Sequence, residues 1–304
     1  MHKYIERFLE VKVELYKEKN TYVNYKIDLK QLDLHMTEIL GEDWVTTVDN
    51  DEMELYVKLL KKKEYEATTI NRKIASASSF FGYCVDKGWI EKNPMKGIEL
   101  FRVYKKKKDM LDIEDIRKII DSTYVREVRE KNYEFNSARN RFILSFLTST
   151  GLRIGELLSL DIKSLEKVSD GYMVNISAER IKNNVDKRVP IANKTLEYFN
   201  EYMEQREKNG FANNDILILS RNGKKMTRVA IQKMISKYCE RNGFEELNIT
   251  PHTFRHICTS VLRRNRVEDS LIFNILGWKE GIMAIYTDDI SMLDNAKITS
   301  CNII

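Results

Sequence analysis

Five short segments of this chain carry side chains able to act on a phosphate. The first, Thr150-Gly151-Leu152-Arg153-Ile154-Gly155-Glu156-Leu157, places an arginine just past a glycine turn, in the first turn of the helix that follows. A guanidinium there points the same way as the helix N-terminus, which favours an anion. Glu156, three residues on, can hold it from the same face. The second segment, Glu179-Arg180-Ile181-Lys182-Asn183-Asn184, places Lys182 at or near a hairpin turn. A mobile ammonium there can reach a ligand and donate a proton. In the third, Pro251-His252-Thr253-Phe254-Arg255-His256, Pro251 suits the first turn of a helix. His252 and Arg255 then share a face at i and i+3, with His256 off that face in a structural place. The fourth, Leu276-Gly277-Trp278, ends a helix at Gly277 and offers the indole N–H of Trp278 as a donor. The fifth, Met283-Ala284-Ile285-Tyr286-Thr287, supplies a phenol. With a pKa near 10 it is a poor nucleophile at neutral pH. It becomes a good one where cations stabilise the phenolate and a base accepts its proton.

Taken singly, each segment has an ordinary reading: a surface ion pair, a solvated turn lysine, a core tryptophan. Together they supply two arginines, a lysine, a histidine, a tryptophan and a tyrosine, with no carboxylate cluster for a metal beside them. That inventory suits phosphodiester transfer without a metal ion, and no cofactor is expected. Arginines grip non-bridging oxygens through paired hydrogen bonds and stabilise charge that develops in the transition state.

The elements that position these groups are mainly helical. Prolines occur only at Pro94, Pro190 and Pro251. Ile5, Phe8, Leu9 and Val13 set a helical period within residues 3–40. Asp49-Asn50-Asp51 reads as the cap of a helix carrying Met53, Leu55, Tyr56, Leu59 and Leu60. A further helix is expected from about Thr68 to Lys87, closed by Gly88. Asn93-Pro94 breaks the pattern, and Arg102 to Asp109, with four consecutive lysines, reads as an exposed linker. Such a run is either a solvated tether or one lying against phosphates. Asp112 opens a second helical region, and Phe142 to Leu160 reads as an apolar helix, a turn at Gly151 and another helix. Tyr172, Val174 and Ile176 alternate with polar residues, and Lys187-Arg188-Val189-Pro190-Ile191 follows a polar turn at Asn183-Asn184. This predicts a small antiparallel sheet over 171–191. From about Thr195 the pattern is helical again as far as Tyr286.

The 304 residues suggest two domains at about 150 residues each. Apolar residues at 42% are enough for a sizeable core, and 32% charged residues make an ionic surface. A net charge of +5 is a mild argument for a polyanionic partner. Cys84, Cys239, Cys258 and Cys301 stand apart from one another and from histidine clusters, which argues against zinc and fits reduced thiols in a cytoplasmic protein. The acidic start of the chain is unlike a signal peptide. No segment approaches the roughly 20 apolar residues of a membrane span, so no membrane partner is expected.

The order and spacing of the five segments resemble the tyrosine recombinase (phage integrase) family, over nearly the whole chain. Arg153, in T-G-L-R-x-x-E-L, matches its first catalytic arginine. Lys182, eight residues before Pro190, matches its lysine. His252 and Arg255 match H-x-x-R, Trp278 in L-G-W falls where members carry His or Trp, and Tyr286 matches the nucleophile. Thr69-Ile70-Asn71-Arg72-Lys73-Ile74 through Asn93-Pro94 looks like the last helix of the family's core-binding domain.

The resemblance implies a mainly α chain with a small antiparallel sheet in its C-terminal domain, forming a two-domain clamp around double-stranded DNA. Residues 1–103 would be the helical, SAM-like core-binding domain, 104–110 the linker, and 111–304 the catalytic domain. Tyr286 would attack a scissile phosphate to form a 3′-phosphotyrosine. Lys182 would protonate the departing 5′-oxygen, Arg153, Arg255 and Trp278 would stabilise the phosphorane, and His252 would assist proton transfer. The covalent bond stores the phosphodiester energy, so no ATP is needed. Four protomers would assemble as a homo-tetramer on two DNA sites, with accessory DNA-bending or directionality proteins as further partners. Integration, excision and dimer resolution, for a phage or another mobile element, are all open to this chemistry. The apolar tail with Met292, Leu293, Ile298, Ile303 and Ile304 would dock on a neighbouring protomer. One departure stands out: Trp278 to Tyr286 is one residue shorter than the family's more usual spacing. On a continuous helix that rotates the tyrosine by ~100°, which a loop at Glu280-Gly281 can absorb. A transcriptional repressor that keeps the fold without the chemistry is therefore an alternative. A type IB topoisomerase is a third reading, less suited to the N-terminal half.

Overall fold

The computed structural model describes residues 1–15, 19–103, 111–125, 132–168, 171–177 and 186–276. Lys182, Trp278, Tyr286, the lysine-rich linker and the apolar tail lie outside the described residues. The chain divides into two compact units, Met1–Lys107 and Lys108–Ile304.

The first unit is helical. It contains α1 (Lys3–Leu15), α2 (Lys19–Leu40), the single turn α3 (Trp44–Thr47), α4 (Asn50–Lys62) and α5 (Ala67–Asp86). Helix α4 begins where its cap predicts. The Asp49 carboxylate accepts from the backbone N–H groups of Asp51 (2.8 Å) and Glu52 (3.2 Å), and Glu52 accepts from the Asp49 N–H (2.8 Å). Three backbone donors at the helix start are thereby satisfied. Beyond α5, Gly88 takes a φ of +68°, the left-handed turn that glycine makes without penalty. Phe8, Leu29, Trp44, Phe80 and Phe81 are buried at the centre, each contributing roughly 1.5–3 kcal/mol of apolar burial.

A polar knot sits inside this apolar packing and ties α2 to α5. Asp28 is buried and accepts from Lys73 Nζ (3.0 Å), Ser76 Oγ (2.9 Å) and the Arg72 guanidinium. The buried Lys73 ammonium also donates to Gln31 (2.5 Å). Each charge has its partners, as burial of an ion requires.

The second unit is built around α7 (Tyr133–Thr150), which follows α6 (Ile113–Asp121). Phe142, Ile143, Leu144, Phe146 and Leu147 are all fully buried, so α7 has no solvent face along this stretch and forms the axis of the unit. The short α8 (Ile154–Leu158) follows the glycine turn. A sheet comes next, with antiparallel strands β1 (Leu165–Val168), β2 (Gly171–Ile176) and β3 (Lys187–Ile191) in the order β1-β2-β3. Val174 pairs with Leu165 on one side and Val189 on the other, and Ile176 pairs with Lys187. Pro190 is tolerated because β3 is an edge strand. Strand β1 extends the predicted sheet: Leu-Glu-Lys-Val is too short to display an alternation.

Helices α9 (Asn193–Lys208), α10 (Arg228–Arg241), α11 (Pro251–Arg264) and α12 (Asp269–Leu276) complete the unit. The expectation of a helical pattern from about Thr195 onward is corrected between α9 and α10. There Leu217, Ile218 and Leu219 are buried in a non-helical segment that bends at Leu217 and Ile218, with isolated bridges from Ile216 to Asp161 and from Leu219 to Lys225. Arg206, itself buried, organises that loop by donating to the carbonyls of Ile216 (2.7 Å), Leu217 (3.1 Å), Phe211 (3.4 Å) and Asn214. Those contacts satisfy backbone oxygens that a helix would have paired internally. Among the described residues, no helix is long and apolar enough to cross a membrane.

Candidate active site

The described site residues meet where three chain turns converge: the end of α7, the start of α11 and the end of α12. Gly151 is the hinge. It closes α7 with a φ of +61°, and a Cβ built there would stand 2.6 Å from Leu276 Cδ2 and 3.1 Å from Cys258 Sγ. Both the left-handed backbone and the close approach of α11 and α12 therefore demand glycine.

Arg153 caps α8 from an extended conformation, one position before the first turn in which the sequence places it. Its backbone N–H donates to Glu156 Oε2 (2.9 Å) and its Nη1 to Glu156 Oε1 (2.9 Å), so the predicted i, i+3 pairing forms and is doubled. The Arg153 side chain keeps 37% of its surface exposed, while that of Glu156 keeps 5%. Burial by itself would raise the Glu156 carboxyl. Lys187, the Arg153 N–H and the Arg153 guanidinium outweigh it and hold the carboxyl below its usual range.

Arg255 lies on α11 and is 1% exposed. Its Nη1 donates to the Gly151 carbonyl (2.7 Å) and its Nη2 to the Leu276 carbonyl. These oxygens belong to Gly151, the C-cap of α7, and to Leu276 of α12. Arg255 thus closes two helix ends and has its guanidinium plane fixed by both.

His252 sits one turn earlier on α11, on the solvent side, with its ring 4.9 Å from that of His256 in an edge-on contact. Partial burial lowers its pKa, and the charges of Arg255 and Arg153 lower it further. A neutral imidazole is thereby favoured, the form able to accept a proton. The charges of both arginines act on His252, and Arg255 holds the Gly151 carbonyl two residues before Arg153, so these three side chains gather at one place. It places the chain only as far as Leu276, two residues before Trp278 in sequence.

Two further cations join the group that the sequence reading passed over. Lys187 is buried on the inward face of β3, and its ammonium donates to Glu156 Oε1 (3.1 Å) and to the Leu276 carbonyl (3.2 Å). The signal was available: Lys187, Val189 and Ile191 occupy alternate, inward positions of one strand. Arg228, exposed at the start of α10, brings its Nη2 to 2.6 Å of where a Gly155 Cβ would stand. No sequence period marks that contact. Among the described residues, no group of three His, Cys, Asp or Glu side chains comes together that could hold a metal ion. Among the described residues of this cluster, the guanidiniums of Arg153 and Arg255 stand beside the carboxylate of Glu156, which the buried Lys187 already pairs, and the excess of positive charge attracts an anion.

Comparisons with known proteins identify the family and the fold. Residues 110–290 match the model of the phage integrase family, and residues 5–88 match that of the phage integrase N-terminal SAM-like domain. A tyrosine recombinase of Agathobacter rectalis is 30% identical over 89% of this chain and 86% of its own length. The tyrosine recombinase XerD of Staphylococcus haemolyticus is 28% identical over 91% of this chain and 90% of its own. Among solved structures, the XerH site-specific recombinase bound to a palindromic difH substrate, in a post-cleavage complex, shares the fold with a TM-score of 0.73. It is 18% identical and covers 93% of this chain and 90% of its own.

Proposed function

Because the chain belongs to the phage integrase family, whose members here are tyrosine recombinases, we propose that this site-specific recombinase cuts and rejoins duplex DNA through Tyr286. In this reading Arg153 and Arg255 grip the non-bridging oxygens of the scissile phosphate. Tyr286 attacks the phosphorus, and its proton passes towards the neutral His252. The P–O bond to the 5′-oxygen breaks, Lys182 protonates that oxygen, and a 3′-phosphotyrosine remains. Trp278 donates a further hydrogen bond to the phosphorane. The reverse attack by a 5′-hydroxyl from a second duplex restores the phosphodiester. Two sites, each cut on two strands, call for four nucleophiles and hence a homo-tetramer. Residues 1–103 would bind DNA as a helical domain, 104–110 would tether it, and 111–304 would perform catalysis.

What supports this reading is that Arg153 and Arg255, from segments far apart in sequence, are held through neighbouring backbone at Gly151 and both lower the pKa of His252. The test is a duplex selected from genomic fragments by binding, then nicked next to each candidate phosphate so that the cut strand cannot religate. The wild-type chain should leave a protein–DNA adduct that survives detergent, and Tyr286→Phe should leave none. Specific binding without an adduct at any nick, or an adduct that persists in Tyr286→Phe, overturns the assignment.

A further inference from the structure

We propose that Lys187 is a positioning residue for the phosphate site, setting the distance between the two arginines. The argument rests on the proposed function above, since it matters only if both guanidiniums act on one phosphate. Its geometry is a continuous hydrogen-bonded chain. Arg153 Nη1 donates to Glu156 Oε1 (2.9 Å), and Lys187 Nζ donates to that same oxygen (3.1 Å). The same ammonium donates to the Leu276 carbonyl (3.2 Å), which also accepts from Arg255 Nη2. Arg255 Nη1 then holds the Gly151 carbonyl (2.7 Å), two residues before Arg153. The chain thus returns to its start. Lys187 is the one member that touches the anchors of both arginines.

A lysine suits that place. An ammonium is a compact donor with three hydrogens and no fixed plane, so it can span a carboxylate and a carbonyl that lie at unrelated angles. It is also an awkward residue to bury. The Lys187 side chain is 3% exposed, and desolvation disfavours its charge while Glu156 supports it. A purely structural bridge between β3 and the end of α12 could be apolar, because such replacements of buried ion pairs are often neutral or stabilising. What an apolar residue cannot do is hold Glu156 Oε1 and the Leu276 oxygen at a common point. Without it Glu156 keeps Arg153 alone, Leu276 keeps Arg255 alone, and the spacing of the two guanidiniums is no longer tied.

The experiment uses the full chain with Lys187→Met, which keeps most of the stem and removes the ammonium, and Lys187→Arg, which keeps a cation. Adduct formation is timed on nicked duplexes whose scissile phosphate carries sulfur in place of one or the other non-bridging oxygen. DNA binding and thermal melting are measured in parallel. In the wild type the two arginines meet different oxygens, so the two thio-diastereomers react at different rates. Lys187→Met is expected to bind DNA within about two-fold of wild type and to lose roughly 10²-fold in adduct rate, the effect of a misplacement near 1 Å. The ratio between diastereomers should move towards one, and Lys187→Arg should recover much of both. A wild-type rate in Lys187→Met overturns the proposal. So does a rate lost in proportion to melting with the diastereomer ratio unchanged, which is the mark of a merely structural residue. If Lys187→Met does not fold, Lys187→Arg decides: any rate it loses must come with a shifted ratio, and a reduced rate with an unshifted ratio overturns the proposal. Failure of the underlying function looks different, because the wild-type chain itself would then form no Tyr286-dependent adduct.

Discussion

Replacing Gly151 by alanine should destabilise the second unit for two separable reasons. The backbone there has a φ of +61°, and a residue with a Cβ in the left-handed region costs roughly 1–2 kcal/mol relative to glycine. The new methyl would also stand 2.6 Å from Leu276 Cδ2 and 3.1 Å from Cys258 Sγ, both side chains fully buried. Overpacking of that kind costs roughly 1–3 kcal/mol. Together the two give about 2–5 kcal/mol, which in a domain of this size lowers the melting temperature by roughly 4–20 °C. Gly210→Ala is the control. Gly210 also has a positive φ, +76°, but nothing lies within 4 Å of its would-be Cβ, so only the backbone cost remains. The assay is urea and thermal unfolding of the full chain in the two variants, with Leu276→Ala alone and combined with Gly151→Ala. If the clash is real, the double variant is less destabilised than the sum of the singles by about 1 kcal/mol or more. Equal losses in Gly151→Ala and Gly210→Ala, with additive behaviour of the Leu276 pair, would refute the claim that the α7–α12 contact requires glycine.

Three other outcomes follow from the same structure. Glu156→Gln removes the carboxylate shared by Arg153 and Lys187 and should cost roughly 3–5 kcal/mol in urea unfolding at neutral pH. The folded Glu156 carboxyl is held below its usual range, so its contribution is present above the unfolded pKa of about 4.3 and is lost as pH falls through the folded value. That portion of the acid limb should be missing in Glu156→Gln, and an identical limb in both chains contradicts the assignment. Arg153→Ala takes away one of the charges that depress the His252 pKa, so an NMR titration of the His252 ring should show it rise; a fixed or falling value removes Arg153 from its field. Asp28→Asn leaves the buried Lys73 ammonium without its carboxylate, and the first unit, followed by the fluorescence of buried Trp44, should lose roughly 3–5 kcal/mol. A loss below 1 kcal/mol would show that the knot between α2 and α5 is dispensable.

Local chemistry makes much of the fold readable in the sequence. Asp49 and Asp112 each accept from the first-turn N–H groups of the helices they open, and such short-range signals are complete within four residues of sequence. The Gly151 turn and the Arg153–Glu156 pair were legible for the same reason. The missed features depend on distant partners. The run Leu217-Ile218-Leu219 reads equally as buried helix or buried strand, and what decides is Arg206 gathering the loop carbonyls from the preceding helix. Lys187 looked like one more charge in a basic strand, since its partners lie 31 and 89 residues away. Arg228 reaches Gly155 across the unit, and nothing near it in sequence announces that.

The two arginines differ in when they lose their freedom. An arginine carries about 2 kcal/mol of rotamer entropy. Arg255 gives it up during folding, as the ends of α7 and α12 close on its two terminal nitrogens. An arriving anion meets that guanidinium already in one orientation, and no ordering penalty for it falls on the encounter. Arg153, more than a third exposed and paired with Glu156 through Nη1, keeps part of its motion until a ligand arrives. Anion capture at this site should therefore carry a smaller entropic signature than two surface arginines would give, with most of what remains belonging to Arg153.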